Sequence, residues 1–161
     1  MLKSISEGAG LRSGLIGTVR YQIADRILPA TRTTPEAADL QELLAQMVNA
    51  GCKAAVLEVS SHALAQERTR GLQWDVAIFT NLTQDHLDFH GTMEDYFEAK
   101  ASLFTSLTSQ PDKHGAASVI NLDDRHGELL VKRLGDSTPV LTYGLAQRAD
   151  FRGSNYRTEF G

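Results

Sequence analysis

The stretch "KAAVLEVSS", residues 53–61, decides the fold because its apolar residues run almost without interruption. A strand with one wet face alternates apolar and polar side chains, whereas a strand covered by helices on both faces is nearly continuously apolar. Four further segments are β-rich: "SGLIGTVRY" (13–21), "WDVAIFTNL" (74–82), "AASVINLDD" (116–124) and "TPVLTYGL" (138–145). Helical patterns alternate with these segments. The sequence therefore predicts an α/β fold with a doubly wound, mostly parallel sheet flanked by helices.

Three helices are predicted between the strands. The first lies within "TTPEAADLQELLAQMVNAG" (33–51), with Thr33 or Thr34 as N-cap, Pro35 near the first helical position and Gly51 as terminator. Its apolar stripe comprises Leu40, Leu43, Leu44, Met47 and Val48. The other two helices are expected over about 92–107 and over "RHGELLVKRLG" (125–135).

Composition narrows the class of protein. The 161 residues suffice for one globular domain with a core, and 16 basic against 20 acidic residues give a net charge of -4 without charged blocks. This balance argues against a nucleic-acid partner. No apolar run reaches the roughly 18 to 20 residues of a membrane span, the first residues contain no secretory signal, and the single Cys52 cannot form an internal disulfide. We expect no membrane association and a cytoplasmic location.

Both ends of the chain indicate a part of a larger protein. The opening "LKSISEGAGLRSG" (2–14) is typical of the second half of a helix, and "NYRTEFG" (155–161) is typical of the beginning of a strand. We expect residues 1–161 to form one partial domain.

Polar side chains cluster after two of the apolar runs, where ligands gather in parallel sheets. The first cluster comprises Glu58, Ser60, Ser61, His62, Gln66 and Arg68, and the second comprises Asn81, Asp85, His86, Asp88 and His90. Any one of these residues could be a helix cap, a turn former or a hydrogen-bonded histidine. Their density at two strand ends favours a functional site.

Glu58 is the sharpest single candidate. A carboxylate at the end of "AAVLE" is costly to bury without a cation or hydrogen-bond donors, and magnesium prefers such oxygen ligands. His86 and His90 have i,i+4 spacing, but "HLDFHG" is short, ends in glycine and lacks the HExxH pattern of a helical zinc site.

Lys100 falls on the apolar side of its predicted helix. The stripe comprises Met93, Tyr96, Phe97, Phe104 and Leu107, and Lys100 lies seven residues from both Met93 and Leu107. Lys100 is therefore predicted to point inward. Its stem could pack along the core or its amine could form a buried ion pair. Alternatively, the amine belongs to one polar pocket with Glu58 and His86. Spacing leaves these readings open.

Four motifs together resemble the Mur ligases, the ATP-dependent amide-forming enzymes of bacterial cell-wall precursor synthesis. They are "TTPEAADLQ" (33–41), "EVSSHALAQER" (58–68), "FTNLTQDHLDFHGTMEDYFEAK" (79–100) and "INLDD" (120–124), in family order and with family-like spacing. As a set they are highly specific, and they are most similar to the branch that adds the third amino acid of the peptide. The resemblance implies the central, ATP-binding domain, with a fold like that of P-loop NTPases.

The resemblance also implies roles for individual residues. Those matching contacts to UDP-N-acetylmuramoyl-L-alanyl-D-glutamate are Thr33, Thr34, Ser60, Gln66 and Arg68. Glu58 and His86 match ligands of Mg²⁺, Lys100 matches a lysine carried as a carbamate, and Asn81 and Asp85 fall near the expected ATP. The implied reaction transfers a phosphoryl group from ATP to the substrate's D-glutamate carboxylate, after which meso-diaminopimelate or L-lysine attacks the acyl phosphate.

The sequence departs from the family pattern in one important way. It contains no glycine-rich phosphate loop ending in Gly-Lys-Thr, and we expect the N-terminal UDP-binding and C-terminal amino-acid-binding domains to be missing too. The isolated chain is therefore expected to be inactive as a ligase.

Other functions are open on the sequence alone. One is a metal-dependent hydrolase using Asp85, His86, Asp88 and His90, and another is a non-catalytic nucleotide-sugar-binding module. A relative of folylpolyglutamate synthetase would share the ligase chemistry, but the motifs at 33–41 and 58–68 favour the muramoyl branch.

Overall fold

A computed structural model of the protein describes residues 1–110, 113, 115–146, 148–155 and 157. They form two compact units, which we call the first unit (Met1–Gly71) and the second unit (Leu72–Gly161). Each unit combines a four-stranded sheet with helices, and the sheet of the second unit is wholly parallel. The predicted α/β class is confirmed.

The first unit contains a mixed sheet with the strand order β3-β2-β1-β4. Its elements are α1 (Leu2–Gly8), β1 (Ser13–Ile16), β2 (Arg20–Ile23), β3 (Arg26–Pro29), α2 (Ala37–Asn49), β4 (Ala54–Leu57) and α3 (Ser61–Ala65). Strands β1 and β4 are parallel, with Ile16 opposite Leu57, whereas β2 is antiparallel to both β1 and β3. Helix α1 agrees with the helix predicted within residues 2–14.

The prediction of one strand over 13–21 was wrong. The chain bends at residues 17–19 and returns as β2, so that Leu15 pairs with Gln22. Val19, which made the segment look continuously apolar, is exposed in the bend. Strand β3 was not predicted, because its "RILP" sequence is short and leaves Ile27 largely exposed.

Helix α2 begins later than predicted. Its N-cap position is Glu36, which makes no side-chain capping bond, so neither Thr33 nor Thr34 caps it. The helix ends at Asn49 and is followed by Gly51 with φ +77°, as predicted for the terminator. Its buried residues are Leu40, Leu43 and Met47, but Val48 is 72% exposed and does not belong to the buried stripe.

The second unit is built on the parallel sheet β5-β6-β7-β8. Its elements are β5 (Val76–Phe79), α4 (Leu87–His90), α5 (Met93–Ser106), β6 (Ala117–Asn121), α6 (Arg125–Leu134), β7 (Val140–Gly144) and β8 (Phe151–Arg152), with a 3-10 turn at Leu107–Ser109. Predicted helices α5 and α6 are confirmed. Their N-caps are Thr92, which accepts from Asp95 N, and Asp124, which accepts from His126 N.

The core of the second unit lies between its sheet and the two long helices. Ile120 and Leu130 are fully buried, and Phe79 packs edge-on against Phe104 at 6.1 Å between ring centroids. Helix α6 approaches strand β6 so closely that a Cβ at Gly127 would lie 1.9 Å from the backbone oxygen of Asn121. Only glycine fits at this contact.

Two remaining expectations concern the ends of the fold. Strand β8 was not predicted, and the strand expected within 155–161 falls mainly on residues 156 and 158–161, which lie outside the described residues. Within the described part of the chain, no helix has the length and apolar character needed to cross a membrane.

Replacing Gly127 by alanine should destabilise the protein by more than about 2 kcal/mol, because backbone must move to admit the methyl group. Urea denaturation followed by circular dichroism measures this change. Gly8→Ala is the matched control: Gly8 is also helical and has nothing within 4 Å of the added Cβ. Equal stability of the Gly127→Ala variant and the parent would contradict the close approach of α6 to β6.

Candidate functional site

Glu58 follows β4 directly and is exposed. Its carboxylate accepts two hydrogen bonds of 3.0 Å, from the backbone N and the Oγ1 of Thr18. A Cβ at Gly17 would lie 3.1 Å from Glu58 Oε2, so the bend after β1 provides close support. The carboxylate is not buried, so the cost of burial considered for it does not arise. Thr18 orients the carboxylate, and the exposure of Glu58 leaves it accessible to a ligand.

Thr33 and Thr34 have different environments. Thr33 Oγ1 lies 3.0 Å from Thr18 Oγ1 and extends the hydrogen-bonded chain that begins at Glu58. Thr34 is only 1% exposed; its hydroxyl donates to Glu58 O at 2.9 Å and accepts from Ser60 N at 3.0 Å. Thr34 therefore fixes the backbone beyond β4, and Thr33 lies nearer the surface.

Ser60, Gln66 and Arg68 complete this group in the first unit. Ser60 caps α3 by accepting from Ala63 N, which confirms the capping role considered for it. The Arg68 side chain is 11% exposed and donates to Thr34 O at 3.0 Å and to Gln66 Oε1 at 2.9 Å. The structure thus brings together all six site residues predicted in the first unit: Thr33, Thr34, Glu58, Ser60, Gln66 and Arg68.

Sequence reasoning missed Thr18 and Glu36 as members of this group. Glu36 Oε1 lies 3.3 Å from Arg68 Nη2, and Thr18 links Glu58 to Thr33. Thr18 follows β1, which is parallel to β4, so its position after an apolar run was an available signal. The mistaken extension of the first strand to residue 21 hid it.

In the second unit, the candidate residues follow β5 in a loop that we call the histidine loop, residues 80–86. Asn81, Asp85 and His86 are exposed. His86 adopts a left-handed conformation with φ +55°, and its Nδ1 lies 3.5 Å from Asp85 Oδ1. Such a conformation is uncommon for a residue other than glycine and therefore marks a constrained position.

The ring of Tyr96 is the centre of an aromatic group beside this loop. The His86 ring meets it edge-on at 5.9 Å, and the His90 ring stacks on it at 5.0 Å with an interplanar angle of 18°. Burial, reinforced by the nearby negative charge of Asp85, raises the pKa of Tyr96. The tyrosine thus stays neutral and acts as an apolar support for the two imidazoles.

Lys100 is partly buried on the same side of α5. It lies between the buried residues Tyr96 and Phe104, and its Nζ is 5.3 Å from the Tyr96 ring centroid. This position agrees with the inward direction predicted from the apolar stripe, and it allows a cation–π contact. The expectation that Lys100 shares a pocket with Glu58 joins residues of different units and stays a prediction.

The hydrolase alternative receives no support. Asp85, His86, Asp88 and His90 all lie in the described part of the chain, where no group of three or more histidine, cysteine or acidic side chains is arranged to hold a metal ion. The His90 ring instead packs between Phe89 and Tyr96.

Asp124 is a further polar residue next to the histidine loop. Its Oδ2 accepts from Leu82 N at 2.7 Å, and its Oδ1 accepts from His126 N at 2.8 Å. Burial alone would raise the pKa of Asp124, but these bonds and the nearby His126 ring together lower it below its ordinary value. The folded state therefore holds the ionised carboxylate.

Comparison with known proteins shows the family to which the chain belongs. The family model described as the Mur ligase middle domain matches residues 1–161. The chain belongs to the Mur ligase middle domain family. The resemblance seen in the four sequence motifs is thereby confirmed.

Similar Mur ligases are much longer than this chain. It is 45% identical over 157 residues to UDP-N-acetylmuramoyl-L-alanyl-D-glutamate--2,6-diaminopimelate ligase of Geobacter sulfurreducens. The aligned segment covers 96% of this chain and 30% of the relative. A ligase with the same name from Geobacillus kaustophilus is 42% identical over 162 residues, covering 100% of this chain and 33% of the relative. The chain thus spans about a third of the length of these relatives.

A solved structure shows the same fold. A structure of UDP-N-acetylmuramoyl-L-alanyl-D-glutamate--2,6-diaminopimelate ligase matches with a TM-score of 0.77 and 35% identity, over 91% of this chain and 29% of that one.

Replacing Thr34 by valine should lower the free energy of unfolding by about 1–3 kcal/mol, because Ser60 N and Glu58 O lose their buried partner. Chemical denaturation measures the change. Thr33→Val is the control, because the Thr33 hydroxyl is less buried, and it should cost clearly less. The reverse order of the two effects would refute the assigned roles.

Acid should remove the stabilisation that Asp124 supplies. Because its pKa is lower in the folded state, the contribution is fully present above the ordinary carboxyl pKa of about 4 and is lost as the pH falls through the folded value. The stability difference between the parent and Asp124→Asn should therefore shrink below about pH 4 in urea denaturation measured at several pH values. A difference independent of pH would contradict this account, since other carboxylates contribute equally to both proteins.

Proposed function

We propose that this chain is the central part of an ATP-dependent ligase that joins meso-diaminopimelate to UDP-N-acetylmuramoyl-L-alanyl-D-glutamate. The observation that carries the proposal is identity of 42–47% to ligases of that name over 90% or more of the chain. The names of these relatives favour diaminopimelate over the alternative, L-lysine. ATP is a cytoplasmic co-substrate, so we assign the activity to the cytoplasm.

The group in the first unit is suited to hold the muramoyl dipeptide. Arg68 is held by Thr34 O, Gln66 and the carboxylate of Glu36, so its guanidinium is positioned, and a substrate carboxylate would share its positive charge with Glu36. Thr33 and Ser60 add hydroxyl groups at the same strand end. The buried Thr34 shapes the site by holding the backbone that carries Ser60. Positioning of this kind supplies much of the catalysis in amide-forming phosphoryl chemistry.

The carboxylate of Glu58 fits magnesium, whereas His86 lies in the other unit and is a nitrogen donor whose role we assign from the family resemblance. Glu58 presents an exposed carboxylate whose oxygens are oriented by Thr18 yet keep further lone pairs, and the imidazole of His86 is 43% exposed. We assign Glu58 and His86 as ligands of Mg²⁺ ions, with Asn81 and Asp85 near the nucleotide. When bound, Mg²⁺ neutralises charge on the transferred phosphoryl group.

Lys100 is proposed to carry a carbamate. The ammonium first loses one proton to solvent. The neutral amine then attacks the carbon of CO₂ and loses a second proton, so a cationic side chain becomes an anion with two oxygens. Partial burial along the Tyr96 ring limits the directions that the end group can take. The two anionic oxygens of the carbamate would then serve as ligands of a Mg²⁺ ion.

The proposed reaction proceeds in two steps. The γ-carboxylate of the substrate's D-glutamate attacks the γ-phosphorus of ATP, releasing ADP and forming an acyl phosphate. The amine of diaminopimelate then attacks the acyl carbon, phosphate leaves, and an amide bond forms. Because the printed sequence contains no Gly-Lys-Thr phosphate loop, we propose that these 161 residues alone do not complete the cycle.

A chimera tests the proposed function. Replacing the matching segment of the Geobacter sulfurreducens ligase by this chain should give an enzyme that releases phosphate only when UDP-N-acetylmuramoyl-L-alanyl-D-glutamate and meso-diaminopimelate are both present. Lys100→Ala should lower its turnover by at least about 100-fold, because a group that positions the phosphates is lost.

Lys132→Ala is the matched control, since Lys132 is an exposed lysine of α6, and its turnover should equal that of the chimera. A correctly folded chimera with no turnover, or one in which Lys100→Ala behaves like Lys132→Ala, would refute the assignment.

A further inference from the structure

We propose that Asn121 and Asp124, from the motif "INLDD", are positioning residues that hold the histidine loop. None of the residues assigned as metal ligands lies in this motif, so its role is otherwise unassigned. The functional consequence of the positioning role rests on the proposed role of His86. The observations are four side-chain bonds at the ends of the neighbouring parallel strands β5 and β6.

Asn121 fixes the first residue of the loop. It is the last residue of β6, and its Nδ2 donates to Thr80 O at 2.8 Å, immediately after the end of β5. Its Oδ1 accepts from Asp123 N at 2.9 Å. The side-chain amide of Asn121 therefore donates to the histidine loop and accepts from the turn that follows β6.

Asp124 fixes the loop two residues further on. Its side chain is 12% exposed, and the 2.7 Å bond from Leu82 N to Oδ2 is charge-assisted. Leu82 itself is buried in the core of the second unit. Thus both the backbone and the side chain of Leu82 are anchored.

These bonds limit where His86 can lie. Two anchored residues enclose Asn81, and only residues 83–85 separate Leu82 from His86. At the far end, the His86 ring rests edge-on against Tyr96. A short segment held at both ends keeps a ligand side chain near one place, which reduces the ordering cost of binding.

The carboxylate of Asp124 has two separable tasks, because Oδ1 caps α6 whereas Oδ2 holds Leu82. Serine at this position retains capping ability but is too short to reach Leu82 as well. Asn121→Asp keeps the acceptor for Asp123 N, removes the donor to Thr80 O and sets a carboxylate oxygen against that carbonyl, which further disfavours the contact. The two variants therefore weaken the loop at different points while sparing the helix cap.

The test is nuclear magnetic resonance of the 161-residue chain. In Asp124→Ser, hydrogen exchange at Leu82 N should accelerate at least about tenfold, as expected for loss of one buried hydrogen bond. In both variants the ¹⁵N heteronuclear NOE of residues 83–86 should fall. Mn²⁺, used alone as a paramagnetic probe for Mg²⁺, should broaden the His86 ring signals in the parent and require several-fold higher concentration in the variants.

Asp123→Ser is the matched control. Asp123 belongs to the same motif, but its carboxylate accepts from Leu145 N and Ala146 N after β7. It should leave the histidine loop and the Mn²⁺ response unchanged. Thermal melts of all variants identify any general loss of folding.

The outcomes separate the two proposals. If Asp124→Ser and Asn121→Asp leave residues 80–86 as ordered as Asp123→Ser does, the positioning role is refuted. If the loop loosens as expected but Mn²⁺ does not broaden His86 in the parent, the positioning role stands and the assignment of His86 as a metal ligand fails.

Discussion

The carboxyl end of a parallel strand leaves backbone N–H and C=O groups without partners, and the described structure depends on how this chain satisfies them. In the first unit the hydroxyl of Thr34 bonds to both Glu58 O and Ser60 N. In the second unit, Asn121 and Asp124 bond to Thr80 O and Leu82 N. These side chains pair backbone groups that are partly buried in three of the four bonds, and they thereby hold each loop at defined points.

In each unit, residues that fix the backbone lie beside the candidate functional residues. Thr34 is buried beside the accessible Thr33, and Thr18 orients Glu58 from the end of the adjacent strand β1. In the second unit, His86 is held in a left-handed conformation next to the Tyr96 ring. Each of these candidate residues therefore lies in space beside a group that orients it or fixes the nearby backbone, as expected of a preorganised site.

Much of this organisation could be predicted from the sequence. The apolar runs at 54–57, 76–79, 117–121 and 140–144 were recognised because short, nearly continuous apolar segments favour strands, although burial alternates along β5 and β6 in the structure. Helix α5 and its inward Lys100 followed from the spacing of the apolar residues. Residues just beyond these runs gave the candidate site, because parallel strands present ligand-binding groups there.

Other features could not be predicted, for identifiable reasons. The bend at residues 17–19 was hidden by the apolar but exposed Val19, and with it the role of Thr18. The hydroxyl of Thr34 has two backbone partners 24 and 26 residues away, so a local capping rule assigned it wrongly to α2. Asp124 likewise accepts a hydrogen bond from Leu82 N, 42 residues earlier in the chain. No local sequence pattern predicts such a long-range contact.

The proposal that most needs a test is that Lys100 of α5 carries a carbamate. A crystal structure of the chimera, grown with bicarbonate, Mg²⁺ and a non-hydrolysable ATP analogue, tests it most directly. The account predicts electron density beyond Lys100 Nζ for the carbon and two oxygens of a carbamate, with the side chain still along Tyr96. A bare Lys100 amine directed into bulk solvent would contradict it.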